Sequence, residues 1–529
     1  MKLHPQPWLL LVWVGCSLPA LAQEKDPEAV RYANTITVND LREHLTIIAS
    51  DSFEGRETGE RGQKLAADYI ARQFAENNLR PPVMGSEGKT YLQSFEVREQ
   101  RWGEMALRVK GKSYEFLEDY YPAALFDIPQ PNEWDVVFAG YGIEDERYSD
   151  YQDLDVAGKA VLILAGEPQL PDGRYVLTGD KNHSGWAEGW NRKTELAQRK
   201  GAAAVFQLRH TSDREFTDYL NRYIHYLEGA RMSFEASKTL DSFGTFVVKP
   251  TVAARMAGTS LKKLAIFLNP SAEPKLPRWA RKERPVVVQA DRIETSVQTE
   301  NVLGLVEGSD LKDEVVVITA HYDHVGRRDT AIYNGADDDG SGTVAVLELA
   351  QAFATAKAEG HGPRRSLLFM TFTGEEKGLL GSNYYSDYPV IPMDSTVADL
   401  NIDMIGRLDE AHSEPDYIYI IGSTMLSSEL HAVSEAANAT YSQLNLDYKY
   451  NRKDDPNRFY YRSDHYNFAK NGVPVIFYFS GVHEDYHRPT DEVGKIHFEK
   501  MEKVTRLVFY TAWQLANQPQ RIKVDQVQP

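Results

Sequence analysis

Apolar residues with helical spacing characterise the first part of the chain. They recur at intervals of three or four from Val38 to Ile48, which predicts an amphipathic helix, and the polar pair Asn39 and Asp40 favours a helix start. A second apolar run at residues 65–70 continues this spacing. Two helices are therefore predicted before any sheet.

Between residues 83 and 130 the helical spacing is lost. Short β-type runs such as residues 91–97 replace it, and the proline-containing stretch at 128–132 is typical of a junction. Residues 133–255 then combine strand-like runs with short helical patterns and carry no convincing catalytic cluster. This organisation predicts an inserted module.

Strands and helices alternate from residue 285 to residue 515. A continuous apolar run at 315–319 predicts a strand that is buried on both faces, and residues 343–358 predict a helix. The other strands predicted in this region are residues 366–373, 397–404 and 473–479. Strands separated by helices predict an α/β fold with a mixed, largely parallel sheet and helices on both faces.

The composition is that of a soluble globular protein with more than one domain. Its 529 residues exceed one compact core, and 42% hydrophobic with 26% charged residues is ordinary for such proteins. The formal net charge is -18, and a surface of this sign repels nucleic acid. The charge therefore argues against a nucleic-acid partner.

The N-terminus has the pattern of a secretory signal peptide. Lys2 precedes an apolar run from Trp8 to Leu18 that is too short to span a bilayer, and small residues predict cleavage after Ala22. The predicted location is secreted or periplasmic, with lipoprotein processing at Cys16 as the alternative. Cys16 is the only cysteine, so the cleaved chain has no thiolate for a metal or a disulfide. No later run is apolar enough to predict a membrane span.

Five short segments of the C-terminal half place an acid or a histidine near the end of a predicted strand or in the loop before a helix. They are residues 319–323, 335–342, 373–376, 401–404 and 485–487. In open α/β sheets, ligands bind beyond the carboxyl ends of the strands. Residues far apart in sequence are therefore predicted to converge at one edge of the sheet.

The imidazole and carboxylate side chains of this set suit two zinc ions that share one ligand. Asp338, in a glycine-bounded loop, is the predicted bridge. His321 and Asp403 would complete one ion, and Glu376 and His487 the other. The predicted cofactor is thus two zinc ions per chain, although such ligands also accept cobalt or manganese.

The adjacent glutamates Glu375 and Glu376 are predicted to divide the work, because neighbouring side chains cannot easily point at one metal. Glu376 is the predicted ligand. Glu375 is the predicted general base, which takes a proton from water and passes it to the leaving amine, a role normally worth about 10²–10⁴-fold. Asp323 lies two residues after His321, so in a strand both point to one side and Asp323 can accept the second imidazole N–H.

Each segment alone has an ordinary structural explanation. A histidine at a strand end is usually a polar terminus, and a glutamate pair is usually a solvated helix start. The acidic run at 337–339 could be a turn or a calcium loop, although it lacks the spacing of an EF-hand. Only the complete set predicts a metal site. His324, His465 and His483 stay open between a role in the site and a structural role.

The five segments resemble the co-catalytic zinc aminopeptidases related to bacterial leucyl aminopeptidase and glutamate carboxypeptidase II. The matching blocks are residues 320–326, 334–342, 374–382, 401–406 and 485–491. The resemblance implies a zinc exopeptidase fold and the ligand and base roles given above. The choice of Asp338 over Asp337 or Asp339 rests on it, and it implies that Tyr486 donates a hydrogen bond to the transition state.

Residues 155–161 carry a second resemblance, which implies that the inserted module is a smaller, β-rich protease-associated domain. The chain is thereby divided into six predicted segments. They are a signal peptide (1–22), the N-terminal part of the peptidase domain (23–130), the protease-associated insert (131–255), a linker (256–284), the catalytic domain (285–515) and a C-terminal tail (516–529).

The predicted function is that of a secreted or periplasmic, zinc-dependent aminopeptidase that releases N-terminal residues from peptides. A carboxypeptidase or a small-amide deacylase with the same metal pair is the alternative, whereas glutaminyl cyclases generally keep a single zinc. A binding protein that has lost catalysis is disfavoured, because no expected ligand is missing. The sequence does not predict the preferred residue or the oligomeric state.

Overall fold

A computed structural model describes residues 24–228, 231–234, 242–268, 279 and 282–526. The predicted signal peptide at 1–22 and Cys16 lie outside these residues, as do parts of the predicted linker at 256–284 and of the tail at 516–529. In the described ranges, we find no helix that is both long and apolar enough to cross a membrane.

Helices and strands alternate along much of the chain. The α-helices are α1 (Pro27–Ala33), α2 (Val38–Ile48), α3 (Arg61–Glu76), α4 (Trp190–Arg199), α5 (Asp213–Glu228), α6 (Pro250–Ala257), α7 (Leu261–Leu268), α8 (Gly342–Ala358), α9 (Leu380–Asp387), α10 (Ser428–Ala437), α11 (His465–Ala469) and α12 (Phe498–Asn517). The strands are β1 (Val83–Gly85), β2 (Gly88–Thr90), β3 (Leu92–Val109), β4 (Lys112–Tyr114), β5 (Tyr120–Pro122), β6 (Ile128–Phe138), β7 (Glu144–Asp145), β8 (Tyr148–Ser149), β9 (Ala160–Leu164), β10 (Ala204–Leu208), β11 (Arg231–Ser233), β12 (Gly244–Val248), β13 (Arg284–Val306), β14 (Leu311–His321), β15 (Arg327–Arg328), β16 (Ala331–Ile332), β17 (Arg365–Phe372), β18 (Thr396–Ile402), β19 (Tyr417–Ile421), β20 (Asn445–Asp447) and β21 (Val475–Phe479). Two irregular helical turns, Asp51–Arg56 and Ala336–Ser341, precede α3 and α8.

The chain forms two compact units. The first unit combines residues 1–94 with residues 300–529, and the second unit is Phe95–Thr299. The second unit is therefore inserted in the sequence of the first, and strands β3 and β13 contribute residues to both.

A mixed sheet forms the centre of the first unit. Its order is β20-β19-β21-β18-β14-β17-β13, where β13 contributes residues 302–306. β14 pairs in parallel with β17 and β18, and β18 pairs in parallel with β21. β13 and β19 run antiparallel to β17 and β21. The predicted mixed, largely parallel sheet is confirmed.

Helices cover both faces of this sheet. Along β14, Val316 and Ile318 lie in a buried cluster with residues of α2, α8 and α12, whereas Val315 and Val317 lie in a second cluster with residues of α9 and α11. Successive side chains of a strand point to opposite faces, so the two clusters are the two layers of the core. This double burial explains the continuous apolar run at 315–319.

The helices predicted in this unit lie close to the observed ones. The helix predicted from Val38 is α2, and the pattern at residues 343–358 lies within α8. The N-cap of α2 is Thr37, whose hydroxyl oxygen accepts a hydrogen bond from the amide of Asp40 at 3.2 Å. The helix therefore begins just before the polar pair that favoured a start there.

The second unit has its own sheet and core. β6, β9, β10 and β12 pair in parallel in that order, β5 runs antiparallel beside β12, and residues 284–290 of β13 run antiparallel beside β6. Short helices, including α4 and α6, follow strands of this sheet.

This unit is wider than the predicted insert at 131–255. Leu107 and Phe126 belong to its core, although the sequence pattern assigned residues 23–130 to the peptidase domain. The predicted linker at 256–284 contains α7 and the first residue of β13. Pairing between strands far apart in sequence sets these boundaries, and such pairing leaves no local signal at the boundary itself. The protease-associated identity of the unit remains a prediction.

Candidate metal centre

Each predicted ligand or base lies at the end of a strand or in a loop of the first unit. They are His321 at the end of β14, Glu375 and Glu376 after β17, Asp403 after β18, His487 after β21, and Asp338 in the turn before α8. Because β14, β17, β18 and β21 are parallel, their carboxyl ends meet at one edge. The structure brings all six side chains together there.

One half of the site gathers around the imidazole of His321. Its Nε2 lies 3.4 Å from Asp338 Oδ1 and 3.7 Å from Asp403 Oδ2. Glu375 Oε2 is 3.9 Å away from the same nitrogen. Zinc bonds of about 2.0–2.1 Å place the ligand atoms of a tetrahedral site about 3.3 Å apart. The spacing fits one ion held in this half.

The other half gathers around Glu376. Its Oε1 lies 3.0 Å from Nε2 of His487, and Asp338 Oδ2 lies 3.1 Å from that nitrogen. The two oxygens of Asp338 therefore face different halves of the site. This is the position that a ligand shared by two ions needs.

The neighbours of Asp338 have carboxylates that backbone donors occupy. Asp337 Oδ1 accepts a hydrogen bond from the amide of Gly406 at 2.6 Å. Asp339 Oδ1 accepts one from the amide of Gly342 at 2.8 Å. Of these three aspartates, Asp338 is thus the one that directs both carboxylate oxygens at imidazoles of the site.

His324 is a potential ligand that the sequence left open. It is buried, and its Nδ1 lies 2.9 Å from Glu376 Oε1 and 3.7 Å from Asp338 Oδ2. His487 comes closer to Asp338, at 3.1 Å, and is 3.0 Å from Glu376. Glu376 therefore has two imidazoles beside it, both lie near Asp338, and His487 is the closer of the two to that carboxylate. The only sequence signal was the position of His324 three residues after His321.

Opposite charges control the ionisation of this site. Burial lowers the pKa of His321, but the carboxylates of Glu375 and Asp403 outweigh burial and raise that pKa well above its usual value. Burial raises the pKa of Glu376, but the imidazoles of His487 and His324 together hold that pKa below its usual value. Surroundings that favour charged imidazoles also favour a bound cation.

Several buried polar atoms of the site have no hydrogen-bond partner among the described residues. They are Asp338 Oδ2, Glu376 Oε1, His487 Nε2 and both ring nitrogens of His324. Buried polar atoms are normally paired, and a divalent cation satisfies a convergent set of this kind. Imidazole with carboxylate oxygen is the donor set that zinc accepts. The residues present therefore fit a zinc pair.

Asp323 supports the site, but not through the predicted contact. His321 Nδ1 lies 3.0 Å from the backbone carbonyl oxygen of Asp323 and 3.8 Å from its carboxylate, so the carbonyl is the acceptor. β14 ends at His321, and strand alternation no longer sets the direction of the Asp323 side chain. Its carboxylate instead accepts from the Thr58 hydroxyl at 2.8 Å and from the Glu375 amide at 3.1 Å. Asp323 thereby positions the backbone of the predicted base.

Replacing Thr58 with valine should lower the stability of the first unit. The change leaves one buried oxygen of Asp323 without its donor, which costs about 1–3 kcal/mol. We expect a lower midpoint of urea unfolding, followed by tryptophan fluorescence. Thr46→Val, on the exposed surface of α2, is the matched control and should change the midpoint little. Equal midpoints for the two variants would contradict the role given to Thr58.

Arg56 ties ligand-bearing loops together from the N-terminal part of the chain. Its buried guanidinium donates to the carbonyl oxygens of Tyr322 at 2.8 Å, Asn334 at 2.7 Å and Gly335 at 2.9 Å. Burial lowers the pKa of Arg56 to about 10, and Asp338 is the main charge that opposes this shift. Arg56 therefore remains charged at neutral pH. No motif in the sequence indicated this role.

A pocket with one aromatic side adjoins the metal-ligand cluster. Besides ligands of the site, it is lined by Met404, Phe459, Arg462, Phe477, Phe479, Val482 and Tyr486. The Tyr486 ring stacks on His487 with centroids 3.9 Å apart. Burial and the carboxylates of Asp338 and Glu376 raise the pKa of Tyr486 well above its usual value. Its phenol thus stays protonated and can donate a hydrogen bond.

The two other histidines left open by the sequence lie outside the metal-ligand cluster. His465 stacks on Phe477 with centroids 4.7 Å apart, and burial lowers its pKa to about 3, so it is neutral. His483 Nε2 lies 3.3 Å from Asp337 Oδ2. Both therefore support residues that adjoin the site.

Known proteins are similar in sequence to this region. The model of Peptidase family M28 matches residues 301–512. Aminopeptidase YwaD of Bacillus subtilis is 27% identical over 240 residues, which are 43% of this chain and 48% of YwaD. The matches cover 48% and 61% of the first two curated relatives, so the chain spans about half of the length of the first and about three fifths of the length of the second.

Solved structures share the fold. An aminopeptidase from Aneurinibacillus sp. strain AM-1 superposes with a TM-score of 0.57 at 18% identity, covering 94% of this chain and 98% of that one. A zinc aminopeptidase from Bacillus subtilis gives a TM-score of 0.55 at 18% identity, with 93% and 98% covered. The likeness confirms the predicted zinc exopeptidase fold.

Proposed function

We propose, from the match of residues 301–512 to the model of Peptidase family M28, that this protein is a zinc-dependent aminopeptidase that releases N-terminal residues from peptides. The observation that carries the proposal is the Asp338 carboxylate, whose two oxygens face His321 and His487. Two half-sites that share one carboxylate are what a pair of metal ions requires.

Zinc supplies a Lewis acid in such a site, which lowers the pKa of water towards ~7 and polarises the scissile carbonyl. Proton transfer falls to Glu375. Burial and the nearby carboxylate of Glu376 raise the pKa of Glu375 well above its usual value, although His321 opposes this. A carboxyl group with a raised pKa can hold a proton between two steps. As general base, Glu375 takes the proton of the attacking water and delivers it to the leaving amine.

Tyr486 supports the same reaction as a neutral hydrogen-bond donor. Its raised pKa keeps the phenol protonated beside the carboxylates of the site. A positioned O–H donor stabilises the carbonyl oxygen of the substrate as negative charge develops on it. We assign Tyr486 to this donation.

The side chains that line the pocket favour a substrate with an apolar N-terminal residue. Phe459, Phe477 and Phe479 provide an aromatic wall, and the carboxylates of Glu375 and Asp403 line the same pocket. An apolar side chain gains by leaving water against such a wall, and a protonated α-amine gains from the nearby carboxylates. A peptide with a free N-terminus has both groups on one residue.

One observation favours a carboxypeptidase as the second candidate. Arg462 lines the pocket with an exposed side chain, 4.9 Å from the centroid of the Phe459 ring. No carboxylate in the described part of the chain forms an ion pair with it. A free guanidinium binds a substrate carboxylate well, and the same metals would then serve cleavage at the C-terminus.

Metal content and a substrate panel test the proposed function. We expect about two zinc ions per chain and hydrolysis of leucyl and phenylalanyl amides, lost on chelation and restored by zinc. N-acetylated forms of these amides should react about 10–100-fold more slowly, because they lack the charged amine.

The panel includes N-acyl dipeptides with a free C-terminus as the comparison. Faster hydrolysis of these than of the free-amine amides would assign the protein as a carboxypeptidase or deacylase. A chain that binds no zinc and hydrolyses none of these compounds would reject the enzyme proposal itself.

A further inference from the structure

A cavity of ≈ 210 Å³ in the second unit combines positive charge with aromatic surface. All of its lining residues belong to Phe95–Thr299, and none of them belongs to the metal centre. The charged ones are Arg209, Arg231 and Arg292, and the aromatic ones are Trp102, Tyr121 and Tyr219. The cavity is a feature that the proposed peptidase chemistry does not use.

Among the described residues, the three guanidinium groups have no counter-charge in contact with them. In the described part of the chain, no carboxylate forms an ion pair with any of them. Arg209 Nε donates to the neutral amide of Gln207 at 2.7 Å, and Arg292 Nη2 donates weakly to Gln100 at 3.4 Å. The buried Nε of Arg292 has no acceptor among the described residues. Hydrogen-bonding capacity for an anion therefore remains unused.

Two of these charges are also partly removed from water. Burial lowers the pKa of Arg292, the like charge of Arg231 lowers it further, and Asp127 opposes the shift. Burial likewise lowers the pKa of Arg209. Arg231 and Arg292 are close enough for their like charges to interact, and an anion bound beside them would relieve this repulsion. Such a positive cluster contrasts with the net charge of -18 of the whole chain.

Aromatic rings hold the guanidinium planes in place. Arg292 lies over the Trp102 ring with 4.5 Å to its centroid, and Arg209 lies over the Trp190 ring with 4.7 Å. Tyr121 and Tyr219 stack with centroids 6.0 Å apart. A guanidinium that is already oriented loses less freedom when it binds a planar ligand. The cavity thus presents oriented donors beside an apolar wall.

We propose that this cavity binds a carboxylate attached to an apolar or aromatic group, as found at the C-terminal end of a peptide. The planar carboxylate matches the fork of an arginine, which binds it through two parallel hydrogen bonds. The apolar part of the ligand packs against Leu125, Leu227 and the rings of the wall. This proposal does not rest on the proposed function, since it concerns the second unit alone.

The test uses the full-length, zinc-loaded protein and titration calorimetry with 3-phenylpropionate. This probe has no amide bond to hydrolyse. Its neutral analogue 3-phenylpropionamide should bind about tenfold or more weakly, because it offers no charge to the guanidinium groups. The double variant Arg231→Gln with Arg292→Gln should lose binding of 3-phenylpropionate by about tenfold or more.

Arg214→Gln is the matched control, because Arg214 is exposed in the same unit, on α5, and is absent from the cavity lining. It should change the affinity by less than about twofold. The double variant should hydrolyse a leucyl amide at the same rate as the unmodified protein. An unchanged rate would show that the metal centre is intact, so that lost binding of the probe is due to the cavity.

Several results would overturn the proposal. Equal affinities for 3-phenylpropionate and 3-phenylpropionamide would show that charge does not contribute to binding. An unchanged affinity of the double variant for 3-phenylpropionate would show that the probe binds outside this cavity. Inorganic phosphate that binds as tightly as 3-phenylpropionate would show a site for small oxyanions without the apolar part. If the double variant unfolds early in a thermal melt, Arg231→Gln alone, at an exposed side chain, decides the question.

Discussion

Glu375→Gln should slow peptide hydrolysis by about 10²–10⁴-fold while the zinc content stays unchanged. Glutamine keeps the size of the side chain but cannot take a proton from water. Glu375 Oε2 lies 3.9 Å from His321 Nε2, farther than the oxygens of Asp338 and Asp403 at 3.4 and 3.7 Å. The closer ligands therefore remain when Glu375 loses its charge. The turnover of a leucyl amide and the zinc content by mass spectrometry provide the two measurements.

Glu376→Gln is the decisive comparison for this result. Glu376 Oε1 lies 3.0 Å from His487 Nε2, so we expect this neighbour to lose zinc as well as activity. Glu410→Gln, at an exposed glutamate of the same unit, should change neither quantity. A Glu375→Gln protein that has lost zinc beside a Glu376→Gln protein that keeps it would show that the two roles are exchanged.

The parts of this site that the sequence predicted are those that follow from strand geometry. A parallel strand that is buried on both faces has a continuous run of apolar residues. The end of this run in the sequence therefore locates the end of β14 near His321. The carboxyl ends of parallel strands share an edge, so the order of the acidic and histidine segments already predicts that they meet. Hydrophobic periodicity alone carries this information.

The parts that the sequence did not predict depend on contacts between distant segments. Arg56 and Thr58 lie more than 250 residues before most of the groups that they contact, and an arginine or threonine in a loop has no special pattern. The contact of Asp323 was predicted wrongly, because the strand ends two residues earlier. Loop conformation, unlike strand alternation, is not encoded by a repeating pattern.

The boundaries of the second unit show the same limit. Strands β3 and β13 pass from one unit to the other without a change in composition or a break in the strand. Sequence patterns identify such strands but not the partners with which they pair. The predicted insert at 131–255 therefore covered only the middle of the observed unit.

The choice of one aspartate from three neighbours required the structure as well as the resemblance. Asp337 and Asp339 differ from Asp338 in nothing that composition or spacing reveals. Their carboxylates accept hydrogen bonds from the amides of Gly406 and Gly342. These contacts define two aspartates that shape the loop and one that faces the imidazoles.

Asp338→Asn should therefore lower both the zinc content and the rate, whereas Glu375→Gln should lower the rate alone. Asparagine removes the charge that faces His321 Nε2 at 3.4 Å and His487 Nε2 at 3.1 Å. The loss affects both halves of the site at once, so we expect zinc binding to fall below about one ion per chain. Metal charge stabilisation is worth several kcal/mol, and each 1.36 kcal/mol is tenfold, so the rate should fall by about 10³-fold or more.

Two further variants make this result specific to the shared carboxylate. Asp313→Asn, at an exposed position of β14, should retain zinc and activity. Asp337→Asn should lower the midpoint of thermal unfolding, because it weakens the acceptor for the Gly406 amide, and should retain more zinc than Asp338→Asn. An Asp338→Asn protein that holds two zinc ions and hydrolyses a leucyl amide within about tenfold of the unmodified rate, which is within 1.36 kcal/mol, would show that Asp338 does not join the two halves.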